Sequence, residues 1–184
     1  MFNTDKVGHG YLPTYQEIAA SIGAAGRVCE LGVFDGGSLE MWQSYFPDGI
    51  VAGVDYNPEA TWPDGTVKLL ASQTSVALPN QLWDLSPEGW DLIVDDCSHI
   101  GKLTKQSWEM LWPVVKPGGW YVIEDWYVGM PPWTTMTPHG DPEMLKTAES
   151  FLQLLAWDGR APVGPNGVET VTYKRGLIVM RKGR

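Results

Sequence analysis

Arg27-Val28-Cys29-Glu30-Leu31-Gly32-Val33-Phe34-Asp35-Gly36-Gly37-Ser38 carries the pattern that fixes the fold class. A short, mostly apolar run closed by glycines and followed by a helical pattern over residues 38–45 is the strand–turn–helix unit of an α/β protein. The glycines let a cofactor approach the backbone, and the helix amino terminus beyond them offers N–H donors. It is not the dinucleotide fingerprint GxGxxG, because Phe34 replaces the second glycine. A second strand over 50–54 ends in Asp55, where an acidic group is placed to accept hydrogen bonds from ribose hydroxyls, with a helix-capping role as its alternative.

Two further apolar runs end in acids. Leu92-Ile93-Val94 leads into Asp95-Asp96-Cys97-Ser98-His99, and Trp120-Tyr121-Val122-Ile123 leads into Glu124-Asp125. Both clusters should emerge at carboxyl ends of parallel strands, where open α/β sheets bind ligands. Carboxylates crowded into one crevice repel unless a cation is present, and hard oxygen ligands at that density suit Mg²⁺. His99 adds a base beside such a metal.

The remaining elements alternate in the same way. Helices are expected over 14–25, 75–83 and 104–115, and a strand over 67–70. The turn Lys116-Pro117-Gly118-Gly119 stops the third helix. Residues 126–142, rich in Pro, Trp, Met and Thr, read as a loop over a site. A helix from Asp141-Pro142 to about Trp157 should bury Leu145, Ala148, Leu152 and Leu155, and residues 170–173 and 177–180 should form a terminal hairpin. The chain thus reads as one doubly wound, Rossmann-like α/β domain over 1–184, with a mostly parallel sheet and an antiparallel carboxyl-terminal hairpin.

Composition bounds the function. The chain of 184 residues carries a formal charge of −9, which gives no basic groove for a phosphate backbone and argues against nucleic acid. No apolar run approaches the roughly 20 residues needed to span a bilayer, and the start shows no signal peptide. Cys29 and Cys97 have no metal spacing and read as free thiols of a cytoplasmic protein.

Taken together, Thr4-Asp5-Lys6 with His9 and Tyr11, Glu30-Leu31-Gly32 with Gly36-Gly37-Ser38, Asp95-Asp96-x-Ser98-His99, Lys116-Pro117-Gly118-Gly119 and Ile123-Glu124-Asp125 resemble the class I S-adenosylmethionine methyltransferases. Within them the pattern is similar to the metal-dependent macrolide-sugar O-methyltransferases of the macrocin and mycinamicin type and their cephalosporin-pathway relatives. The resemblance runs from Thr4 to about Asp125. It implies that Asp96, Glu124 and Asp125 hold Mg²⁺ and that His99 is the general base. It further implies that the turn containing Glu30, Gly32, Gly36, Gly37 and Ser38 faces the methionine part of S-adenosylmethionine. Asp55 then takes the ribose and Gln73 the adenine side. Asp95 is placed with the cofactor, with direct coordination of the metal, a hydrogen-bonded cap or an orienting role toward the metal ligands as alternatives.

The chemistry accords with this. A sugar hydroxyl is a poor nucleophile, with a pKa near that of water at roughly 15.7, and metal coordination lowers such values by several units. Three carboxylates on a six-coordinate Mg²⁺ leave room for two neighbouring substrate oxygens and a water, which points to a chelating acceptor such as a vicinal diol. His99, with a free pKa near 6.5, is suited to take the proton. The expected partner is a small hydroxylated acceptor, a sugar of a natural-product glycoside, with neither nucleic acid nor membrane and with a homo-oligomer left open. His9 and His139 are weaker candidates for touching substrate. Trp126, Tyr127, Met130 and Trp133 are expected to pack on a sugar or aglycone, or to form a dimer contact. Two other classes compete: a nicotinamide-dependent oxidoreductase, which needs a fuller fingerprint and a Tyr–Lys pair, and a non-catalytic cofactor-binding domain, against which the full acidic set with His99 argues.

Overall fold

Alternating βα units produce one seven-stranded sheet in the order β3-β2-β1-β4-β5-β7-β6. The computed structural model describes residues 2–132, 140–155 and 167–184. β1 (Arg27–Leu31), β2 (Ile50–Asp55), β3 (Val67–Leu70), β4 (Trp90–Asp95) and β5 (Val115–Glu124) run parallel. The hairpin of β6 (Val168–Lys174) and β7 (Leu177–Lys182) adds antiparallel to β5. The α/β class, the doubly wound order and the antiparallel end all follow the sequence expectation.

Helices cover both faces, as parallel strands require. α2 (Leu12–Ile22) and α3 (Gly37–Tyr45) pack through Tyr15, Ile18, Leu39 and Trp42 on the face carrying Val28, Leu92, Val94 and Val122. α4 (Leu78–Leu85), α5 (Gly101–Leu111) and α6 (Pro142–Leu152) cover the face of Cys29, Leu31, Ile93, Tyr121 and Ile123. A four-residue helix, α1 (Lys6–His9), precedes them and was not expected.

Several boundaries differ from expectation for local reasons. α2 starts two residues early because Pro13 is tolerated in a first turn, and it stops at Gly23, whose φ of 90° ends it before Gly26. α4 lies at Leu78–Leu85 rather than 75–83. α5 ends at Leu111, where Pro113 forces a 3₁₀ turn over Trp112–Val114. The residues Lys116-Pro117-Gly118-Gly119 are no turn before a strand: Val115 already pairs with Trp90 and Trp120 with Leu92, so they bulge within β5.

The stripe expected on the last helix is corrected. α6 buries Met144, Thr147, Ala148 and Phe151, whereas Leu152 is 54% exposed and Leu155 40% exposed. The i, i+3, i+4, i+7 set beginning at Met144 wins because Phe151 meets Trp108 of α5 edge to face at 5.3 Å. Asp141 caps this helix by accepting from the Glu143 amide. Residues 126–132 form the 3₁₀ turn Trp126–Gly129 and a following bend. His139, Trp133 and Trp157 lie outside the described residues. Among the described residues no helix is long and apolar enough to cross a membrane.

Candidate active site

The sheet order reverses between β1 and β4, and ligands in such sheets bind outside the carboxyl ends at that point. A cavity of about 540 Å³ lies there. Its walls are the turn Gly32-Val33-Phe34-Asp35 with Ser38, the β2 end at Asp55 and Tyr56, the segment Asp96-Cys97-Ser98-His99, and Thr4, Asp5 and Lys6 from the amino terminus. Gly32 is required by contact: a Cβ there would sit 2.1 Å from the Asp96 carbonyl oxygen, so the two turns close on each other. Phe34, His99 and Asp125 adopt left-handed φ of 50°, 54° and 53°, three strained non-glycine residues gathered at one site.

The acidic cluster is built by strand periodicity. Glu30, Asp96 and Glu124 stand two residues beyond Val28, Val94 and Val122, which share one face of three adjacent strands, so their carboxylates converge on that face. Lys6 fills the convergence. Its ammonium, 1% exposed, lies 3.0 Å from Glu30, 2.5 Å from Asp96 and 2.9 Å from Glu124. Tyr15 donates its hydroxyl to Glu124, and Trp42 donates its indole N–H to Glu30 at 2.9 Å. Burial works against the charge of Lys6, but Asp96, Glu124 and Glu30 outweigh it and hold the ammonium well above its usual range. Burial, then Asp96, pushes Glu124 well up despite Lys6, and burial raises Glu30 against the same ammonium. Asp96 goes the other way: Lys6, then His99, overcome burial and hold it below the usual carboxylate range.

Asp96 has a second neighbourhood. Its Oδ2 meets Lys6, while its Oδ1 is 3.8 Å from His99 Nε2, which is in turn 3.9 Å from Asp125 Oδ2. Asp125 also accepts from the Tyr11 hydroxyl at 2.5 Å and lies 3.8 Å from His9 Nδ1. Asp96, His99 and Asp125 therefore offer ligand atoms within 4.8 Å of one another, as do Glu30, Asp96 and Glu124. A further cavity of about 430 Å³ opens beyond this outer group, walled by His9, Tyr11, Trp126, Tyr127, Met130 and Arg175.

No family model matches the chain. It is 31% identical, over 98% of its length and 52% of the relative's, to an 8-demethyl-8-(2-methoxy-alpha-L-rhamnosyl)-tetracenomycin-C 3'-O-methyltransferase of Streptomyces olivaceus. It is 32% identical, over 64% of its length and 31% of the relative's, to the mycinamicin VI 2''-O-methyltransferase of Micromonospora griseorubida. Among solved structures, the MycE methyltransferase of the mycinamycin pathway in complex with Mg and SAH superposes with a TM-score of 0.72 at 26% identity, over 94% of this chain and 49% of that one. This chain belongs with the class I S-adenosylmethionine-dependent methyltransferases. It spans about half the length of the first of these relatives and about a third of the second.

Within this chain the expected cofactor residues divide. Gly32, Ser38 and Asp55 line the larger cavity. Asp55 also holds the turn, accepting from the amides of Val33 at 2.9 Å, Phe34 at 3.3 Å and Asn57 at 2.8 Å. Gly36 and Gly37 stand against protein: a Cβ on Gly36 would meet the Thr61 carbonyl at 2.6 Å, and one on Gly37 the Asn3 carbonyl at 1.6 Å. Glu30 faces Lys6, and Gln73 is buried with its amide donating to Ser107 at 2.9 Å. Asp95 lies on the opposite sheet face, receiving the Tyr121 hydroxyl at 3.4 Å, where burial and then Asp96 push its carboxyl up to about 7. Of the expected metal set, Asp96 and Asp125 share the outer group with His99, while Glu124 lies in the inner one. Lys6, Tyr11, Tyr15 and Trp42 are the site residues that sequence reasoning gave no role. Thr4-Asp5-Lys6 stands out in sequence as a motif, but a lysine's partners 24 to 118 residues away leave no local signal.

Proposed function

We propose that the protein is an O-methyltransferase that moves the methyl group of S-adenosylmethionine to a hydroxyl of a small acceptor, a sugar of a natural-product glycoside, with Mg²⁺ assisting. The observation that carries this is the position of Asp96, His99 and Asp125 between two cavities, with Asp96 and His99 on the wall of the larger and Asp125 touching Tyr11 and His9 of the smaller. A methyl donor in one and an acceptor in the other would meet at these groups. The named sugar O-methyltransferases among the relatives support the reaction, and the Mg and SAH bound to MycE support the two cofactors.

The donor set fits a hard divalent cation. Two carboxylates and an imidazole converge within 4.8 Å, and Asp96 Oδ1 and Asp125 Oδ2 both face the imidazole rather than the interior. Asp96 and Asp125 would hold Mg²⁺, and once bound it would acidify a coordinated hydroxyl and fix its direction. Glu124, the third ligand implied by resemblance, stands behind them with one oxygen engaged by Lys6 and Tyr15. His99 Nε2 takes the hydroxyl proton. Tyr11 holds the Asp125 carboxylate by its hydrogen bond, and Trp126 and Tyr127 offer apolar surface to the remainder of the acceptor. Alignment of oxygen and methyl carbon supplies much of the acceleration, since orientation can contribute several kcal/mol.

The test is calorimetry with S-adenosylmethionine and with NAD, followed by turnover on rhamnosyl and related glycosides with and without chelator. S-adenosylmethionine should bind and NAD should not. Chelator should abolish turnover and Mg²⁺ restore it, while cofactor affinity changes little. Full turnover in chelator removes the metal, and binding of NAD in place of S-adenosylmethionine removes the methyltransferase reading.

A further inference from the structure

The acidic cluster is larger than one cation needs, and it already contains one. Four carboxylates, Glu30, Asp96, Glu124 and Asp125, gather at the strand ends, and two overlapping triads share only Asp96. The inner triad holds an ammonium in the place of a metal, and Glu30 Oε1, which makes no hydrogen bond, has that ammonium 3.0 Å away. Lys6 Nζ touches all three of its carboxylates, Trp42 and Tyr15 donate to Glu30 and Glu124, and Glu30 and Glu124 are 0% and 1% exposed. The outer triad is half-buried and faces the cavities, and among the described residues no ammonium besides that of Lys6, on Asp96 Oδ2, pairs with its carboxylates. A charge this deeply buried persists only when paired, so removing it leaves the carboxylates uncompensated.

We propose that Lys6 is a positioning residue whose ammonium is the resident cation between Glu30, Asp96 and Glu124, closing that inner position to divalent metal and leaving the outward oxygens of Asp96 and Asp125, beside His99, to hold one. Asp96 is the hinge of this arrangement: Lys6 fixes Oδ2 at 2.5 Å and so turns Oδ1 toward His99 and the outer group. Groups behind a metal ligand orient it and tune affinity in this way. Lys6 also carries Thr4 and Asp5 into the wall of the larger cavity, so the same ammonium pins the amino-terminal segment over the cofactor side. The metal half of this rests on the reading above; the resident-cation half does not.

The experiment is Mn²⁺ titration by calorimetry and electron paramagnetic resonance on the whole chain. Wild type should take one ion. Lys6→Met, nearly the same length without the charge, should take a second or bind Mn²⁺ at least tenfold more tightly. In Lys6→Ala, methylammonium or ethylammonium should restore S-adenosylmethionine binding, whereas tetramethylammonium at equal ionic strength should not. Where the Lys6 variants do not fold, Glu30→Gln decides: its Mn²⁺ affinity should stay within about threefold of wild type, because Glu30 belongs to the closed triad. A loss of tenfold or more there puts the metal in the inner triad and overturns the proposal, as does wild-type Mn²⁺ stoichiometry and affinity in folded Lys6→Met. No Mn²⁺ in wild type with one ion in Lys6→Met would remove the metal from the proposed function and keep Lys6 as the resident cation.

Discussion

At the scale of single residues, His99 and Asp55 carry separable predictions. His99 is held by a left-handed φ of 54° with its imidazole between two carboxylates, a geometry with strain that the surrounding turn must support. His99→Ala should lose about 10²–10⁴ in turnover, the usual worth of a general base, while S-adenosylmethionine affinity stays near wild type. Unchanged turnover would leave solvent as the proton acceptor. Asp55 has two demands on it, since it already accepts three backbone amides that shape the Gly32 turn. Asp55→Ala should weaken cofactor binding by roughly 1–3 kcal/mol, read by calorimetry, and should also loosen the turn in amide exchange. Loosening without lost affinity would make Asp55 a scaffold of the turn alone. The sequence pointed to both residues because a polar group after a buried apolar run is conspicuous. It could not show that Asp55 serves the protein's own backbone as well.

Among the elements, the amino-terminal segment is the one whose importance local reading understates. α1 is four residues long and could not stand alone, yet it delivers Lys6 to three strands and Tyr11 to Asp125. Its approach to α3 depends on a missing side chain, because a Cβ on Gly37 would stand 1.6 Å from the Asn3 carbonyl. Gly37→Ala should therefore lift the segment. The expected outcome is faster proteolytic cleavage near residues 3–10 and at least tenfold weaker S-adenosylmethionine binding, with the thermal transition of the sheet little changed. Cleavage and affinity at wild-type values would show that the segment is held without this contact. Gly36-Gly37 reads in sequence as a cofactor turn; in the structure both glycines are sites of close approach between protein segments.

For the molecule as a whole, the two faces of the sheet divide stability from chemistry. Phe151 lies in the layer of α5 and α6, packed on Trp108 across the sheet from Lys6 and its carboxylates. Phe151→Ala should lower unfolding free energy by about 3–5 kcal/mol in denaturant titration, while cofactor affinity below the transition stays close to wild type. Affinity lost in proportion to stability would mean that the two layers are coupled. Sequence alone was enough for the alternation of strands and helices, the acidic strand ends, the glycine turn and the antiparallel finish, because each is written in periodicity and breakers within about a dozen residues. It also contained, in Val28-x-Glu30, Val94-x-Asp96 and Val122-x-Glu124, the alternation that puts three carboxylates on one face. Only the tertiary structure decided that Asp95 turns to the opposite face with Tyr121, that the stripe of α6 starts at Met144, and that a lysine from the amino terminus lies among the carboxylates. Those outcomes depend on which groups meet across the fold, and the energy of a buried charge is set by partners far away in the chain rather than by its neighbours in sequence.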